Sequence, residues 1–184
     1  MPPSESSSTE GATARVLAVE RAYVAAATGG DLPRGGDPAR LPEALAALGA
    51  VASRYLAVGT PRTFGIVGDG ELSLEAHRTW FAPREVRRAT ADVPDAALAC
   101  DIVCVHAPLA LRAAQLRRGT HVNLLAPCTL APDIVATTAD EAIVAAMAAG
   151  LRDGRQLDEL TIFVAGDAAL ALAALTCRSS PDPA

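Results

Sequence analysis

A short apolar run that ends in two glycines is the stretch of this sequence with the most chemical content. Residues 63–77 read TFGIVGDGELSLEAH, so a strand runs into Gly68-Asp69-Gly70 and a helix-forming segment follows directly. The glycines allow a sharp turn, and the helix N-terminus presents unpaired N–H groups with partial positive charge. The pattern predicts the pyrophosphate corner of a dinucleotide fold. The alternative is a structural turn that binds nothing, because the third position of the fingerprint is Ser73 rather than glycine or alanine.

Lysine chemistry is absent from the sequence. All 16 basic residues are arginine, which excludes a lysine Schiff base and a lysine general base from these 184 residues. The three histidines lie in separate segments without a metal-ligand spacing, so no metal site is expected. The cysteines form no CxxC pair and are expected to be buried free thiols. These cysteines are Cys100, Cys104, Cys128 and Cys177.

Composition indicates a globular protein with a core of small side chains. Hydrophobic residues make up 51% of the sequence and aromatic residues only 3%. The formal charge is −5 and the arginines are scattered, so neither nucleic acid nor a membrane is an expected partner. The first residues do not resemble a secretory signal, and the apolar stretches are too short to span a bilayer. A cytoplasmic location is expected.

The elements that position the glycine turn alternate between strand and helix. Strands are predicted over residues 63–68, 85–90, 101–106, 120–125, 133–137 and 160–164. Helices are predicted over residues 12–27, 41–56, 71–80, 95–99, 109–116, 140–151 and 166–176. Most of the strands are apolar along their length, as in parallel strands covered on both faces, and strand 85–90 is expected at an edge. The prediction is an α/β fold: a Rossmann-like parallel sheet of five or six strands, with helices on both faces and two N-terminal helices before it. The turn then lies at the carboxyl edge of the sheet, where ligands bind.

Five phrases, in order, resemble the ornithine cyclodeaminase and mu-crystallin family. They are VERAYVAAATGGDLP at 19–33, RYLA at 54–57 followed by PRTFGIVGDG at 61–70, CDIVCV at 100–105, GTHVN at 119–123 and DELTIF at 158–163. The resemblance implies a homodimeric, NAD(P)-dependent protein. Family members cyclise, reduce or oxidise amino acids and imines, or bind thyroid hormone in the crystallin branch.

The same resemblance shows which family residues are missing. The family places a substrate-binding sheet with a catalytic lysine between its first helix and the RYLA helix, where this chain has only the connection GGDLPRGGDPAR at 29–40. The family's substrate-binding arginine falls at about Ala44, with Arg40 one helical turn away. Its catalytic aspartate has no counterpart nearer than Asp133, and Val164 replaces its lysine after DEITLF. No catalytic residue is therefore assigned.

The expected organisation follows from this comparison. Residues 1–11 form a disordered tail, residues 12–60 a helical remnant of the N-terminal domain with its linker, residues 61–177 a Rossmann-like dinucleotide-binding domain, and residues 178–184 a flexible tail.

The expected cofactor is NAD or NADP, held around the glycine turn and at the ends of two later strands. The candidate cofactor-binding residues are Gly68, Asp69, Gly70, Glu71, Leu72, His106, Ala107 and Asn123. Arg87 and Arg88 would favour NADP if either met a 2′-phosphate, and otherwise are two solvated arginines on an edge strand. Asp69 opposes binding unless its carboxylate points away from the pyrophosphate.

Three hypotheses remain for the function. The first is a catalytically reduced relative that keeps the dinucleotide fold and acts by binding or assembly. The second is a small oxidoreductase or cyclodeaminase-like enzyme completed by a partner subunit, with His106 or His121 as acid or base. The third is an interaction module, a homodimer or hetero-oligomer, whose nucleotide site is vestigial. The sequence favours the first.

Overall fold

The computed structural model describes residues 5–154 and 159–177. Eight strands form within these two ranges: β1 (Thr63–Val67), β2 (Glu85–Ala89), β3 (Ile102–Val105), β4 (Leu109–Leu111), β5 (His121–Leu124), β6 (Cys128–Leu130), β7 (Thr137–Ala139) and β8 (Thr161–Val164). Six of them make one fully parallel sheet in the order β2-β1-β3-β5-β8-β7. The remaining two, β4 and β6, pair in parallel as a small second sheet.

Six α-helices accompany the sheet within the same ranges: α1 (Glu5–Thr28), α2 (Leu41–Leu56), α3 (Glu71–His77), α4 (Asp95–Leu98), α5 (Glu141–Ala148) and α6 (Ala169–Cys177). Short 3-10 helices occupy Pro38–Arg40 and Ala113–Gln115. The helix α2 is rich in alanine, and small side chains let it lie close on the sheet.

The two faces of the sheet are covered differently. On one face, the strand residues Phe64, Ile102 and Phe163 join a core cluster with α1, α2, α3, α5 and α6. Helix α1 forms an outer layer there, because it packs on these four other helices. On the opposite face, Val103 and Ile162 pack against α4, β4 and β6. Apolar residues at successive strand positions serve both clusters, as expected of a buried parallel sheet.

Gly65 lets α4 approach β1 closely. A Cβ atom built on Gly65 would lie only 2.1 Å from the carbonyl oxygen of Ala97 in α4. Any side chain at this position would push the helix off the sheet, so glycine is a packing requirement here rather than a turn residue.

The predicted fold class is confirmed, and so are the edge position of β2 and the bounds of α2. Helix α1 begins at Glu5, so part of the predicted disordered tail is helical. Helix α3 ends at His77, three residues before its predicted end. The predicted tail at 178–184 and the side chain of Cys177 lie outside the described part of the chain.

The predicted helix at 109–116 is wrong. Residues Leu109–Leu111 form a strand and Ala113–Gln115 a single 3-10 turn. Leu111 is buried while Ala110 is exposed, a period of two that fits a strand better than a helix. The strand predicted at 133–137 begins only at Thr137, because residues 131–134 close a turn in which Ile134 N–H bonds Ala131.

Candidate functional site

The glycine turn lies at the carboxyl edge of the sheet, between the ends of three strands. The N–H of Gly68 donates to the carbonyl of Ala89 at the end of β2, 2.9 Å away, and the N–H of His106 donates to Val67 at 2.8 Å. Gly68 has a φ of 90°, which disfavours a residue with a side chain. The turn therefore has the placement that a dinucleotide fold requires.

Four of the predicted site residues come together at this turn. A Cβ atom built on Gly68 would lie 3.1 Å from the Cβ of Ala107, and one built on Gly70 would lie 2.5 Å from the Cδ2 of His106. The His106 ring thus packs on the turn, with Nε2 2.9 Å from the Ser73 hydroxyl. Ser73, the third position of the fingerprint, orients this ring.

The three predicted residues inside and after the turn differ in their surroundings. Asp69 is exposed, and Leu72 is 39% exposed. Glu71 accepts from Arg88 at both oxygens, with distances of 2.5 and 3.0 Å, and this bonding lowers the pKa of the Glu71 carboxyl. The carboxylate in the first turn of α3 is therefore already in an ion pair with an arginine.

Arg87 and Arg88 are both engaged in exposed ion pairs. The Nε of Arg87 lies 2.7 Å from Glu85 on the same strand, and the Nε of Arg88 lies 2.5 Å from Glu71. A 2′-phosphate would have to compete with a carboxylate for either guanidinium. The structure thus gives the NADP alternative little support.

Asn123 lies away from the glycine turn. Its side chain is fully buried between β5 and α2, where Nδ2 lies 2.9 Å from the Ser53 hydroxyl and Oδ1 lies 3.1 Å from Nε2 of His121. Residues 121 and 123 face the same side of the strand because side chains alternate. The alternation of side chains along β5, with Ser53 in the facing helix, indicates a buried polar cluster between β5 and α2.

A chain of buried hydrogen bonds joins Asn123 to the glycine turn. Ser53 bonds Nε2 of His77 at 2.8 Å, and Nδ1 of His77 bonds the carbonyl of Ser73 at 2.6 Å. The Ser73 hydroxyl then reaches His106. The chain connects the middle of the sheet with the ligand edge, and it includes all three histidines of the sequence.

The positions of the protons along this chain of hydrogen bonds follow from the carbonyl of Ser73. A carbonyl only accepts, so Nδ1 of His77 carries the hydrogen. Burial lowers the pKa of His77 to about 4, so the ring is neutral near pH 7 and Nε2 accepts from the Ser53 hydroxyl. Ser53 must then accept from the Asn123 amide, and His121 donates from Nε2 to the amide oxygen. Each hydrogen bond between His121 and Ser73 in this series thus has one donor and one acceptor.

A cavity of about 460 Å³ opens beside the turn, between the segments that follow β2 and β3. Its lining includes Asp92, Asp95 and Arg112. The side-chain amide of Gln115 links two parts of the cavity lining, because it donates to Asp95 at 3.0 Å and accepts from the backbone N–H of Arg112 at 3.0 Å. Asp92 was missed in the sequence, although it lies about 20 residues beyond the glycine turn, the spacing of a ribose-binding acid.

A second opening, of about 660 Å³, lies at the carboxyl ends of β5 and β8. Apolar side chains dominate its lining, among them Leu41, Leu45, Leu125 and Val164, and Asp167 is its charged residue. We call it the apolar cleft. It lacks a cation that could hold a substrate carboxylate.

Metal and thiol chemistry find no support in the described ranges. No group of three or more His, Cys, Asp or Glu side chains there is arranged to hold a metal ion. Cys100, Cys104 and Cys128 are free thiols, and burial raises the pKa of each, which disfavours the reactive thiolate. No helix in the described residues is long and apolar enough to cross a membrane.

The parallel sheet and its glycine turn define a Rossmann-like α/β protein, and comparison with solved structures agrees. An archaeal alanine dehydrogenase dimer with bound NAD is 22% identical, with a TM-score of 0.55 over 72% of this chain and 61% of that one. The iminosuccinate reductase of Paracoccus denitrificans in complex with NAD⁺ is 19% identical, with a TM-score of 0.54 over 74% and 63% of the two chains. A probable ornithine cyclodeaminase from Bordetella pertussis is 20% identical, with a TM-score of 0.54 over 76% and 68%.

These likenesses confirm, at the level of fold, the resemblance inferred from the sequence. The chain spans about three fifths of the length of the alanine dehydrogenase and iminosuccinate reductase chains that it matches. No protein-family model matches the sequence, and no curated protein sequence matches it significantly.

Proposed function

We propose that this protein is a catalytically reduced relative of the ornithine cyclodeaminases and mu-crystallins that binds a nicotinamide dinucleotide and acts by binding or assembly. The observation that carries the proposal is the carboxyl edge of β1, β2 and β3. There the positive-φ turn at Gly68 and the cavity lined by Asp92 lie side by side. Two fold relatives are described with NAD or NAD⁺ bound.

The residues present fit a dinucleotide. Gly68 and Gly70 carry no side chains on the turn, where Ala107 and His106 pack against them, and the neighbouring cavity is bounded by Asp92 and Arg112. A bound nicotinamide dinucleotide supplies hydride transfer in dehydrogenases. In this chain, the glycine turn and the residues that line the neighbouring cavity would hold and orient such a dinucleotide.

The reduction of catalysis follows from the missing groups. The sequence contains no lysine, and Val164 and Leu45 line the apolar cleft where a polar substrate would need charged partners. A cleft of this kind suits an apolar surface or molecule better than a zwitterionic amino acid. Assembly, as a homodimer or hetero-oligomer, fits the same cleft and the dimer described for the alanine dehydrogenase.

Asp92 favours NAD over NADP. Its carboxylate is exposed in the cavity, where a ribose 2′-hydroxyl can donate to it and a 2′-phosphate is repelled. Arg87 and Arg88, the alternative phosphate partners, are already paired with glutamates.

Binding of NADH and NADPH, followed by nucleotide fluorescence, tests the proposal. We expect wild-type protein to bind NADH about tenfold more tightly than NADPH, and Asp92→Ala to remove most of that difference. Asp133→Ala, a change of an exposed aspartate outside the cavity, serves as the matched control and should leave both affinities unchanged. Absence of any response to millimolar NADH and NADPH would refute dinucleotide binding, and steady NADH consumption with a cyclic imine would refute the loss of catalysis.

A further inference from the structure

Two arginines lie side by side at the amino edge of the sheet, where the strands begin. Arg62 directly precedes β1 and Arg84 directly precedes β2. The backbone N–H of Arg84 donates to the carbonyl of Arg62 at 2.8 Å, and the next two residues along the strands, Thr63 and Glu85, are register partners. Both arginines are exposed. We call Arg62 and Arg84 the arginine pair.

The carboxylates nearest to the arginine pair are engaged by other arginines. Asp101, which precedes β3, lies 2.6 Å from Nη2 of Arg117. Glu85 lies 2.7 Å from Nε of Arg87 on the same strand. In the part of the chain that the structure describes, the guanidinium groups of the arginine pair form no hydrogen bond or ion pair. The amino ends of β1 and β2 therefore present two positive charges that the chain itself does not neutralise.

Two exposed aspartates lie at the opposite ends of the same two strands. Asp69 follows the last residue of β1, Val67, and Asp92 follows the last residue of β2, Ala89, each after a short turn. Among the described residues, no group forms a hydrogen bond or ion pair with either carboxylate. We call Asp69 and Asp92 the aspartate pair.

The two pairs match in spacing because they share two neighbouring strands. β1 and β2 are parallel, five residues long each, and paired along their whole length. Neighbouring strands lie about 4.8 Å apart, so both pairs have a similar lateral separation. A second molecule displaced along the strand direction would bring its arginine pair to the aspartate pair of the first. The charges of the two surfaces are then complementary.

Apolar side chains flank both pairs. Val93, next to Asp92, is 72% exposed, and Ala82 and Pro83 come directly before Arg84. Contact between these apolar groups would remove some of their surface from water beside the ion pairs. The same displacement thus brings together opposite charges and apolar groups.

We propose that the arginine pair of one molecule docks on the aspartate pair of a second copy, so that the copies associate head to tail. The inference rests on the proposed function and deepens its assembly part by naming the partner and the two surfaces. Because two different surfaces meet, each added copy leaves one pair free at either end, and the assembly can extend. Asp92 also lines the cavity assigned to the dinucleotide, so association and dinucleotide binding compete.

Sedimentation velocity of the wild-type protein tests the association. We expect the average mass to rise with concentration at about 100 μM protein, and association to weaken about tenfold or more when ionic strength rises from about 0.05 M to about 0.5 M. The double variant Arg62→Glu, Arg84→Glu should remain monomeric. Arg21→Glu is the matched control, because it reverses an exposed arginine on the outer helix α1, and it should associate like the wild type.

A charge swap tests the pairing of the two surfaces. The double variant Asp69→Arg, Asp92→Arg should also remain monomeric, because like charges then meet. An equal mixture of the two double variants should associate again, since each carries the surface that complements the other. If Asp69→Arg prevents folding, as judged by circular dichroism, Asp92→Arg alone replaces that double variant in the mixture.

The outcomes separate this inference from the proposed function. A wild-type protein that stays monomeric at low ionic strength, an Arg62→Glu, Arg84→Glu variant that associates normally, or a mixture of folded variants that stays monomeric each overturns head-to-tail docking. Fluorescence titration of the Arg62→Glu, Arg84→Glu variant with NADH reports dinucleotide binding independently, because this variant keeps the cavity. Wild-type association that bound NADH leaves unchanged would contradict docking at Asp92.

Discussion

His77 is the residue that holds the buried polar chain together. It joins Ser53 in α2 to Ser73 in α3, and its ring packs against Phe64 with the ring centroids 4.8 Å apart. The sequence predicted the glycine turn and His106 beside it, since both follow buried strands. The sequence did not predict the buried chain of hydrogen bonds, because bonds between residues far apart in sequence depend on how α2 and α3 pack against each other.

His77 makes folding stability depend on pH. Burial lowers the pKa of His77 from 6.5 to about 4, so the unfolded chain takes up this proton before the folded protein does. The contribution of His77 to the free energy of unfolding is complete above pH 6.5. As the pH falls towards 4, the free energy of unfolding decreases by on the order of 3 kcal/mol. Urea unfolding at pH 7 and pH 4.5 should show this loss in the wild-type protein and a clearly smaller one in His77→Gln. Equal losses in the two proteins would contradict the assignment of a neutral, buried His77.

Asn123 and Asp92 show where residue-level prediction from the sequence stopped. Asn123, the last residue of the GTHVN phrase, was predicted at the cofactor near the end of its strand, and the structure places its side chain against Ser53 in α2. Asp92 was overlooked, because its place in the cavity depends on the turn after β2.

At the scale of elements, the sheet is covered heavily on one face and lightly on the other. Apolar runs predicted the six-stranded sheet well, because parallel strands need apolar residues on both faces. The segment 109–116 was predicted as a helix, although it covers the lighter face as a strand and a 3-10 turn. A short segment rich in leucine and alanine is compatible with a helix or a strand. Here the packing of Leu111 in the core cluster goes with the strand.

The contact between β1 and α4 gives a prediction for this scale. Gly65→Ala would place a methyl group 2.1 Å from the backbone oxygen of Ala97, and we expect a loss of about 1–3 kcal/mol in the free energy of unfolding. Gly49→Ala is the matched control. Its Cβ would meet the side chains of Leu125 at 3.4 Å and Asn123 at 3.6 Å, both ordinary van der Waals contacts, and a helix interior favours alanine, so stability should hold or rise. Urea unfolding of the two variants measures both effects, and an unchanged Gly65→Ala would contradict the close approach of α4.

At the scale of the whole molecule, the carboxyl edge divides into two openings of different chemistry. The cavity near β2 and β3 carries Asp92 and Arg112, whereas the apolar cleft at β5 and β8 is lined mainly by leucine and valine. The first suits a nucleotide and the second does not suit a charged substrate. This division supports the proposal that the protein binds a dinucleotide and has lost catalysis.

The most direct measurement is the map of backbone amide shifts in a ¹H–¹⁵N NMR spectrum as NAD⁺ is added to the wild-type protein. We expect saturable shifts concentrated at the glycine turn, residues 68–72, and in the segments that follow β2 and β3, residues 90–95 and 106–112. Spectra that stay unchanged at millimolar NAD⁺, or shifts confined to the apolar cleft, would contradict it.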